Sequence, residues 1–493
     1  MLVADLIAPA LAHIINLSMK TGIYPKSWKW AKVVPLLKSS SSDATMPKSY
    51  RPVALLPVLS KVMEKVVFSQ LVKYLEENDL IHPNLHGSRK GHDTSTALLQ
   101  LYDRWIEELE AGNMAGVLIC DQSAAFDLCD HNILLNKLGL MGVDEDSLNW
   151  VKSYLHGRSQ SCFIDGELSS RMSLPDCGVP QGSIGGPLLW LVFTCDQPDV
   201  IHSHEIDGQS VSRGCPSKFD KEAVCGELVG YVDDGAYTYE HKDPTVLSRV
   251  LSDKFKCLEE WMINNRLVLN PDKTSLIVLA TKKTAKLRQE VNITAGIHCI
   301  RPSETAKHLG GYVHQSLKWN EHIAEGKASL IHQLVSRNNA LKRICACAPF
   351  KTRLMLANGA FHSKLVYLIT LWGGAQGYLI NALQIQQLRA ARTVCGIQSF
   401  RWSRRRLLKE VGWLSVRQLI VYHTIIQAHK TLISGKPAFL FNALTSEHFY
   451  ETRSVAQGHI RLRNTRPSSK SFQFRAMITI GYQVKPKLDR FQQ

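Results

Sequence analysis

The stretch Leu228-Val229-Gly230-Tyr231-Val232-Asp233-Asp234-Gly235-Ala236-Tyr237-Thr238-Tyr239 decides how the rest of the chain is read. Leu228 to Val232 form one apolar run and Ala236 to Tyr239 a second, with Asp233-Asp234-Gly235 between them. Two such runs around a short polar, glycine-containing break predict a β-hairpin. Alone, Asp-Asp-Gly is an ordinary polar turn. Yet neighbouring carboxylates repel each other, and their joint ionisation is costly unless a cation lies between them.

Outward from the hairpin, Met114 to Cys120 is a short apolar run between Gly112 and Asp121, a buried strand by its length. It delivers a third carboxylate, Asp121. Three acids on neighbouring strands could cage two divalent ions, and hard oxygen ligands suit Mg²⁺. Such ions, ~4 Å apart, clamp the attacking and leaving oxygens of phosphoryl transfer. Ser161 to Met172 contains an Asp165-Gly166 hairpin turn. Asp243-Pro244 opens a helix that runs towards Asn265; Asn270-Pro271-Asp272 is a turn, and Ser275 to Ala280 a strand. Residues 1–113 read as mostly helical with loops, including a helix over Ser60 to Asn78 and a serine-rich loop over Lys38 to Lys48. Residues 331–470 read as all helix, with apolar helical spacing over Leu379 to Val394 and Val416 to Leu432, the latter broken by Pro437. The pattern is α+β.

The 493 residues predict about three domains. An apolar fraction of 45% and a charged fraction of 21% exclude a disordered chain, a collagen and a disulfide-stapled miniprotein. The best apolar run, Ile184 to Phe193, contains Gly-Gly-Pro and is half the ~20 residues a membrane span needs. The cysteines show no C-x-x-C pair, and the apolar N-terminus carries Asp5 without a basic leader, so an intracellular protein with reduced thiols is expected. The net charge is +16, and its distribution is lopsided: residues 331–493 carry 25 Lys and Arg against four acids, while the first 330 are slightly acidic. That basic third predicts a polyanionic partner. Trp402, Trp413 and Tyr422 lie among its arginines, spaced for base stacking or for a core.

Seven short segments share an order with one family. Tyr231-Val232-Asp233-Asp234 resembles polymerase motif C of reverse transcriptases. Asp121-Gln122-Ser123-Ala124-Ala125-Phe126-Asp127 resembles motif A, and Gly178-Val179-Pro180-Gln181-Gly182-Ser183 with Gly186-Pro187-Leu188-Leu189 resembles motif B. Asn270-Pro271-Asp272-Lys273-Thr274 resembles motif D, and Leu309-Gly310-Gly311-Tyr312 motif E, the primer grip. Tyr50 to Pro57 and His86 to His92 look like finger motifs of non-LTR (LINE-type) retrotransposon enzymes, most like jockey or CR1 elements. The resemblance runs from about Asn16 to about Ser454.

The resemblance implies a right-hand polymerase. Fingers would occupy residues 1–113, an antiparallel palm 114–315, and a helical thumb with a basic C-terminal region 316–493. It implies an RNA-directed DNA polymerase that extends a DNA primer on an RNA template with dNTPs and two Mg²⁺ ions, Mn²⁺ being able to substitute. It further implies a ribonucleoprotein of nucleus and cytoplasm, with no membrane and no stable protein partner inferable. Asp121, Asp233 and Asp234 would hold the metal ions. Lys273 would act as general acid to pyrophosphate. Arg51 and Lys38 would hold the triphosphate. Phe126 would reject a ribose 2′-OH, while Gln181 and Gly182 would meet the template–dNTP pair. Arg89 and Lys90 would touch template phosphates, and Gly310 and Tyr312 the primer. Read without the resemblance, Phe126 is also a plausible core ring and Lys273 a solvated lysine.

Departures from the family pattern are Ser88 before Arg89, Ala124, and Gly185 where a larger aliphatic residue usually sits; Gly185 is expected to loosen the helix after motif B. No endonuclease constellation, Cys/His knuckle or RNase H carboxylate set is apparent, so a truncated element copy is expected. Two alternatives stay open: a decayed nucleic-acid-binding relic, and an RNA-dependent RNA polymerase, against which Phe126 argues.

Overall fold

Alternation along Met114–Asp121 divides the molecule into two cores. Ala115, Val117 and Ile119 join one buried cluster; Met114, Leu118 and Cys120 join another. Side chains of a strand point to opposite faces in turn, so a strand buried on both faces is apolar throughout. The computed structural model describes residues 4–38, 43–122, 125–202, 204–206, 209–211, 226–269, 273–295, 298–345, 347–397 and 402–445.

The chain begins with α1 (Ala4–Thr21), strands β1 (Trp30–Leu37) and β2 (Tyr50–Leu55), then α2 (Val58–Glu77) and α3 (Thr94–Glu110). Strand β3 (Met114–Asp121) is followed by α4 (Ala125–Leu128), α5 (His131–Leu140) and α6 (Glu145–Leu155). Three strands come next: β4 (Ser159–Ile164), β5 (Glu167–Leu168) and β6 (Met172–Ser173). Helices α7 (Gly185–Phe193) and α8 (Gln197–His202) and the short pair β7 (His204–Ile206) and β8 (Gln209–Val211) precede the hairpin β9 (Gly226–Tyr231) and β10 (Asp234–His241). After α9 (Pro244–Asn264) and β11 (Ser275–Leu279) come two small hairpins, β12 (Ile293–Ala295) with β13 (His298–Ile300) and β14 (Thr305–His308) with β15 (Gly311–His314). The remainder described is helical: α10 (Asn320–Ile323), α11 (Leu330–Cys345), α12 (Phe350–Ala357), α13 (Ser363–Val366), α14 (Ile369–Trp372), α15 (Gly377–Cys395), α16 (Arg404–Glu410), α17 (Val416–Ser434) and α18 (Ala438–Thr445).

The central sheet has the order β11-β3-β10-β9, antiparallel at each step. One face packs on α3, through Ala97, Leu101 and Trp105, and α3 in turn packs on α14, joining the C-terminal helices to the same core through Leu371, Trp372, Leu383 and Val416. The other packs on α7 and α9 through Leu189, Trp190, Leu251 and Phe255. Gly116 lies under α9 because a Cβ there would come within 2.6 Å of Leu251. Asp243 caps α9 as expected, accepting from the Thr245 and Val246 amides at 2.7 and 3.4 Å.

The first 113 residues are less helical than expected. β1 and β2 form a hairpin in which Pro35 and Pro52 face each other. Proline gives no donor to a ladder and weakens a strand's sequence signature. β4, which lies beyond residue 113, pairs parallel with β1. A boundary at 113/114 therefore runs through one sheet. A boundary at 315/316 likewise cuts the core shared by α3, the central sheet and the C-terminal helices. Among the described residues, no helix is long and apolar enough to cross a membrane. The basic tail beyond residue 445 and the Asn270-Pro271-Asp272 turn lie outside the described residues.

Candidate active site

The acidic hairpin turns one residue earlier than the sequence suggests. Tyr231 pairs with Asp234, so Val232 and Asp233 alone make the turn and Asp234 already belongs to β10. Asp234 also faces Asp121 of β3 in register. Directly opposed residues of an antiparallel pair lie ~4.5–5.5 Å apart at Cβ, so the backbone register sets Asp121 opposite Asp234, with Asp233 adjoining in the turn. Asp233 and Asp234 are half-buried.

The turn is strained. Val232 has φ +59°, a region a β-branched residue avoids, at a cost of ~1–3 kcal/mol. Two neighbours hold it. The fully buried Trp190 donates its Nε1–H to the Val232 carbonyl at 2.7 Å. Gly87 lies so close that a Cβ there would be 2.8 Å from the Val232 nitrogen. Gly87 is brought in by a short parallel addition to β9: the His86 amide donates to the Gly230 carbonyl, and the Gly230 amide to the Asn84 carbonyl, at 2.8 and 3.0 Å.

Trp190 also stacks on Phe126, with centroids 5.8 Å apart and planes at 30°. Phe126 is half-buried at the start of α4. Its carbonyl accepts from the Val179 amide at 2.7 Å, and the Gly178 amide donates to the Cys129 carbonyl at 2.8 Å. Gly178 has φ +85°, and its missing side chain admits the Asp127 carbonyl, 2.9 Å from where a Cβ would sit. Gln181 donates through Nε2 to Asp127 Oδ1 at 3.0 Å. Burial raises the Asp127 carboxyl above its ordinary range, with the Gln181 bond opposing. The Gln181 carbonyl accepts from the Ala54 amide at 3.0 Å, and Gly182, at φ +108°, would place a Cβ 2.8 Å from the Ala54 carbonyl. Motif B is thus seated against motif A on one side and strand β2 on the other.

Gly185 does not loosen α7. The Phe68 ring fills its place, 2.1 Å from an added Cβ. The fully buried Glu64 accepts from the Ile184 and Gly185 amides at 2.8 and 3.4 Å. This carboxylate serves donors that a helix start leaves unpaired. Burial nevertheless raises its pKa, the two amide bonds opposing.

The remaining predicted residues are more scattered. Arg51 is exposed on β2 opposite Leu36, and exposed Lys38 follows β1, its amide donating to the Ser49 carbonyl at 2.9 Å; both cations sit at one end of that hairpin. Lys273 is exposed just before β11. Gly310, at φ +75°, turns β14 into β15, where the Tyr367 hydroxyl donates to the Leu309 carbonyl at 2.7 Å. Tyr312 is half-buried on β15. Lys90 is exposed, but Arg89 is turned inward. Its Nε donates to Glu76 at 2.7 Å, and Nη1 to the His82 and Leu85 carbonyls at 2.9 and 3.1 Å. Burial opposes ionisation of Glu76, but Arg89 and Lys436 outweigh it and hold its carboxyl down to about 2. The guanidinium of Arg89 is therefore committed inside the protein, unlike the phosphate contact expected of it. Trp413 is likewise a core residue, donating to Asn358 at 2.8 Å.

Sequence reading missed Glu64, Trp190 and a polar ladder behind the hairpin. Gln100 of α3 joins buried His86 at 2.8 Å and also donates to Glu227. Arg104 bridges Glu227 at 2.9 Å and Glu240 at 2.8 Å. Burial pushes His86 down to about 3 and raises Glu240 to about 7, against the pull of Arg104. The available signal was charge at buried-strand positions in Gly226–Tyr231 and Asp234–His241.

Comparison with known proteins points to one family. The family described as reverse transcriptase (RNA-dependent DNA polymerase) matches residues 37–313. The chain is 26% identical over 392 residues to the RNA-directed DNA polymerase from mobile element jockey of Drosophila melanogaster, covering 78% of this chain and 40% of that protein. It is 26% identical over 389 residues to the probable RNA-directed DNA polymerase from transposon BS of the same organism, again covering 78% and 40%. The chain thus spans about 40% of the length of these curated relatives. Telomerase from Candida albicans, solved with a TWJ fragment of telomeric RNA, aligns over 89% of this chain and 71% of its own at 12% identity and a TM-score of 0.40. The family match contains the paired acids, the strained turn beneath them and the glycine loop seated beside them, and with those elements in place the chain belongs to the reverse transcriptase family.

Proposed function

We propose that the chain is an RNA-directed DNA polymerase of a non-LTR retrotransposon that extends a DNA primer on an RNA template. The observation that carries this reading is the register of Asp121 against Asp234 with Asp233 at the adjoining tip. The donor set is carboxylate oxygen alone, which fits a hard divalent cation, Mg²⁺ first and Mn²⁺ as substitute. Bound there, such ions supply activation of the primer 3′-hydroxyl and neutralisation of charge on the reacting phosphate. The three aspartates hold and orient them. Arg51 and Lys38 receive the dNTP triphosphate from the fingers hairpin, and Lys273 delivers a proton to the departing pyrophosphate. Gln181 and Gly182 bound the nascent pair, while Gly310 and Tyr312 hold the primer. Lys90 contacts template phosphate, and Arg89 positions the loop that carries it. A ribonucleoprotein in nucleus and cytoplasm is the setting for this reaction.

Phe126 closes the ribose side of the pocket, its ring backed by Trp190. Phe126→Val should admit ribonucleotides by opening space for the 2′-hydroxyl. The readout is the dNTP-to-rNTP ratio of incorporation efficiencies; an unchanged ratio would make Phe126 a packing residue only. The test of the whole reading is primer extension on an RNA template with Mg²⁺, comparing the chain with Asp233→Asn. Extension by the parent and none by the variant supports it; equal extension by both overturns it.

A further inference from the structure

A cluster that the polymerase reading leaves unused lies just ahead of the motif B loop. His131 opens α5, His156 follows α6, and Asp176 precedes Gly178 by two residues. One ligand atom from each lies within 4.8 Å of the other two, and among the described residues no other group of three His, Cys, Asp or Glu does so.

The hydrogen bonds indicate which atoms are available. His131 is 1% exposed, and its Nε2 lies 2.8 Å from the Gly178 carbonyl oxygen. Only an N–H can bond a carbonyl, so Nε2 carries the proton and Nδ1 the lone pair. That Nδ1 is buried and has no hydrogen-bond partner. Burial holds the ring below its ordinary pKa, with the Gly178 bond opposing. His156 sits alongside, ring centroids 5.1 Å away. Its Nδ1 is 3.0 Å from Asp176 Oδ1, and its Nε2 is also buried without a partner. Asp176 has 63% of its side chain exposed, which opens the cluster to solvent on one side.

Buried imidazole nitrogens without partners are costly to fold around unless something binds them. A neutral imidazole whose far N–H is fixed by a backbone carbonyl is the usual arrangement at a metal-bound histidine. Two imidazoles and one carboxylate suit zinc, with bonds of ~2.0–2.2 Å, whereas Mg²⁺ prefers oxygen.

We propose that His131, His156 and Asp176 bind one zinc ion, with water as the fourth ligand. Tetrahedral corners at those bond lengths lie about 3.3–3.6 Å apart, so from separations within 4.8 Å the cluster need close by at most about 1.5 Å. The ion would tie the start of α5, the end of α6 and the approach to Gly178 into one unit. It would thereby brace the loop that carries Gln181 without touching the aspartates. The proposal stands independently of the polymerase reading.

The test uses the full chain, stripped with a chelator and returned to buffer with excess Mg²⁺ to occupy hard oxygen sites. Zn²⁺ is titrated in competition with a chromogenic zinc chelator, and Co²⁺ replaces it for visible spectroscopy. The expected result is one tight equivalent of Zn²⁺ and the intense d–d bands of four-coordinate Co²⁺. Asp176→Asn and His156→Gln should each weaken binding by at least ~10-fold, and zinc should raise Tm in the parent but not in these variants. Asp176→Asn changes a surface group, so its fold can be verified by circular dichroism before titration. No tight equivalent above the Mg²⁺ background, or an equivalent of unchanged affinity in both variants, overturns the proposal.

Discussion

The β9–β10 hairpin carries two pairs of acids a few residues apart, and the pairs have opposite surroundings. Glu227 and Glu240 are buried and clasped by Arg104, with Gln100 completing the bonds. Asp233 and Asp234 are half-exposed at the tip, against Asp121. The first pair is neutralised by the protein's own cation and belongs to the fold. The second is partly open to solvent. Like charges on one hairpin thus meet opposite surroundings, and under the polymerase reading proposed above the buried end serves structure while the open end serves chemistry.

The sharpest way to break this comparison is to remove one charge from each end. Asp233→Asn should reduce primer extension by at least ~10²–10³-fold, the scale for losing one electrostatic stabiliser at a reacting centre. Its urea midpoint should stay near that of the parent. A large fall in stability would mean the tip acids belong to the fold after all.

Arg104→Met should do the reverse, leaving two buried carboxylates without their cation and destabilising the chain by ~3–5 kcal/mol in urea unfolding. The effect has a pH sign. Burial already raises Glu240 from 4.5 to about 7, so this group's contribution is greatest in acid and is lost as pH rises through that window. The variant's deficit should therefore grow from pH 5 to pH 8. A deficit independent of pH would point to packing instead.

Trp190→Phe keeps a ring against Phe126 but removes the N–H that holds Val232. It should cost ~1–3 kcal/mol, the scale for one buried carbonyl left unpaired. Val232→Gly in the same background should recover part of that stability, since glycine accepts a positive φ without strain. No recovery would show that the turn is held by something other than the indole.

The smallest effect concerns the basic helices. Arg404 and Arg405 are exposed on α16. Replacing both by Gln should flatten the slope of log K against log salt for single-stranded RNA by up to ~0.7 for each phosphate no longer neutralised. Deleting the region would be a poorer experiment, because Leu407, Val416 and Leu419 belong to the shared core. An unchanged slope would turn this basic face away from the template.

Much of this arrangement is legible in the sequence because local rules suffice for it. The strand before Asp121, the Asp243-capped helix and α15 and α17 follow from apolar spacing and caps. The β1–β2 hairpin does not, since Pro35 and Pro52 mask the strands. The turn lies one residue away from its expected place because Gly235 attracts a turn assignment, whereas Trp190 and Gly87, both far upstream in the chain, impose it on Val232. Glu64 and Arg89 are opaque for the same reason. Their partners, Ile184 and Glu76, are joined to them only by the folded chain.

The two contacts of Trp190 have a genetic consequence. Its ring face supports Phe126 and its N–H secures Val232, so the ring that the proposed function places beside the sugar and the turn residue next to the paired acids share one rigid indole. Residues that share a partner seldom change independently. Substitutions at 126 and 232 should therefore be epistatic: a change at one would shift which residues are tolerated at the other.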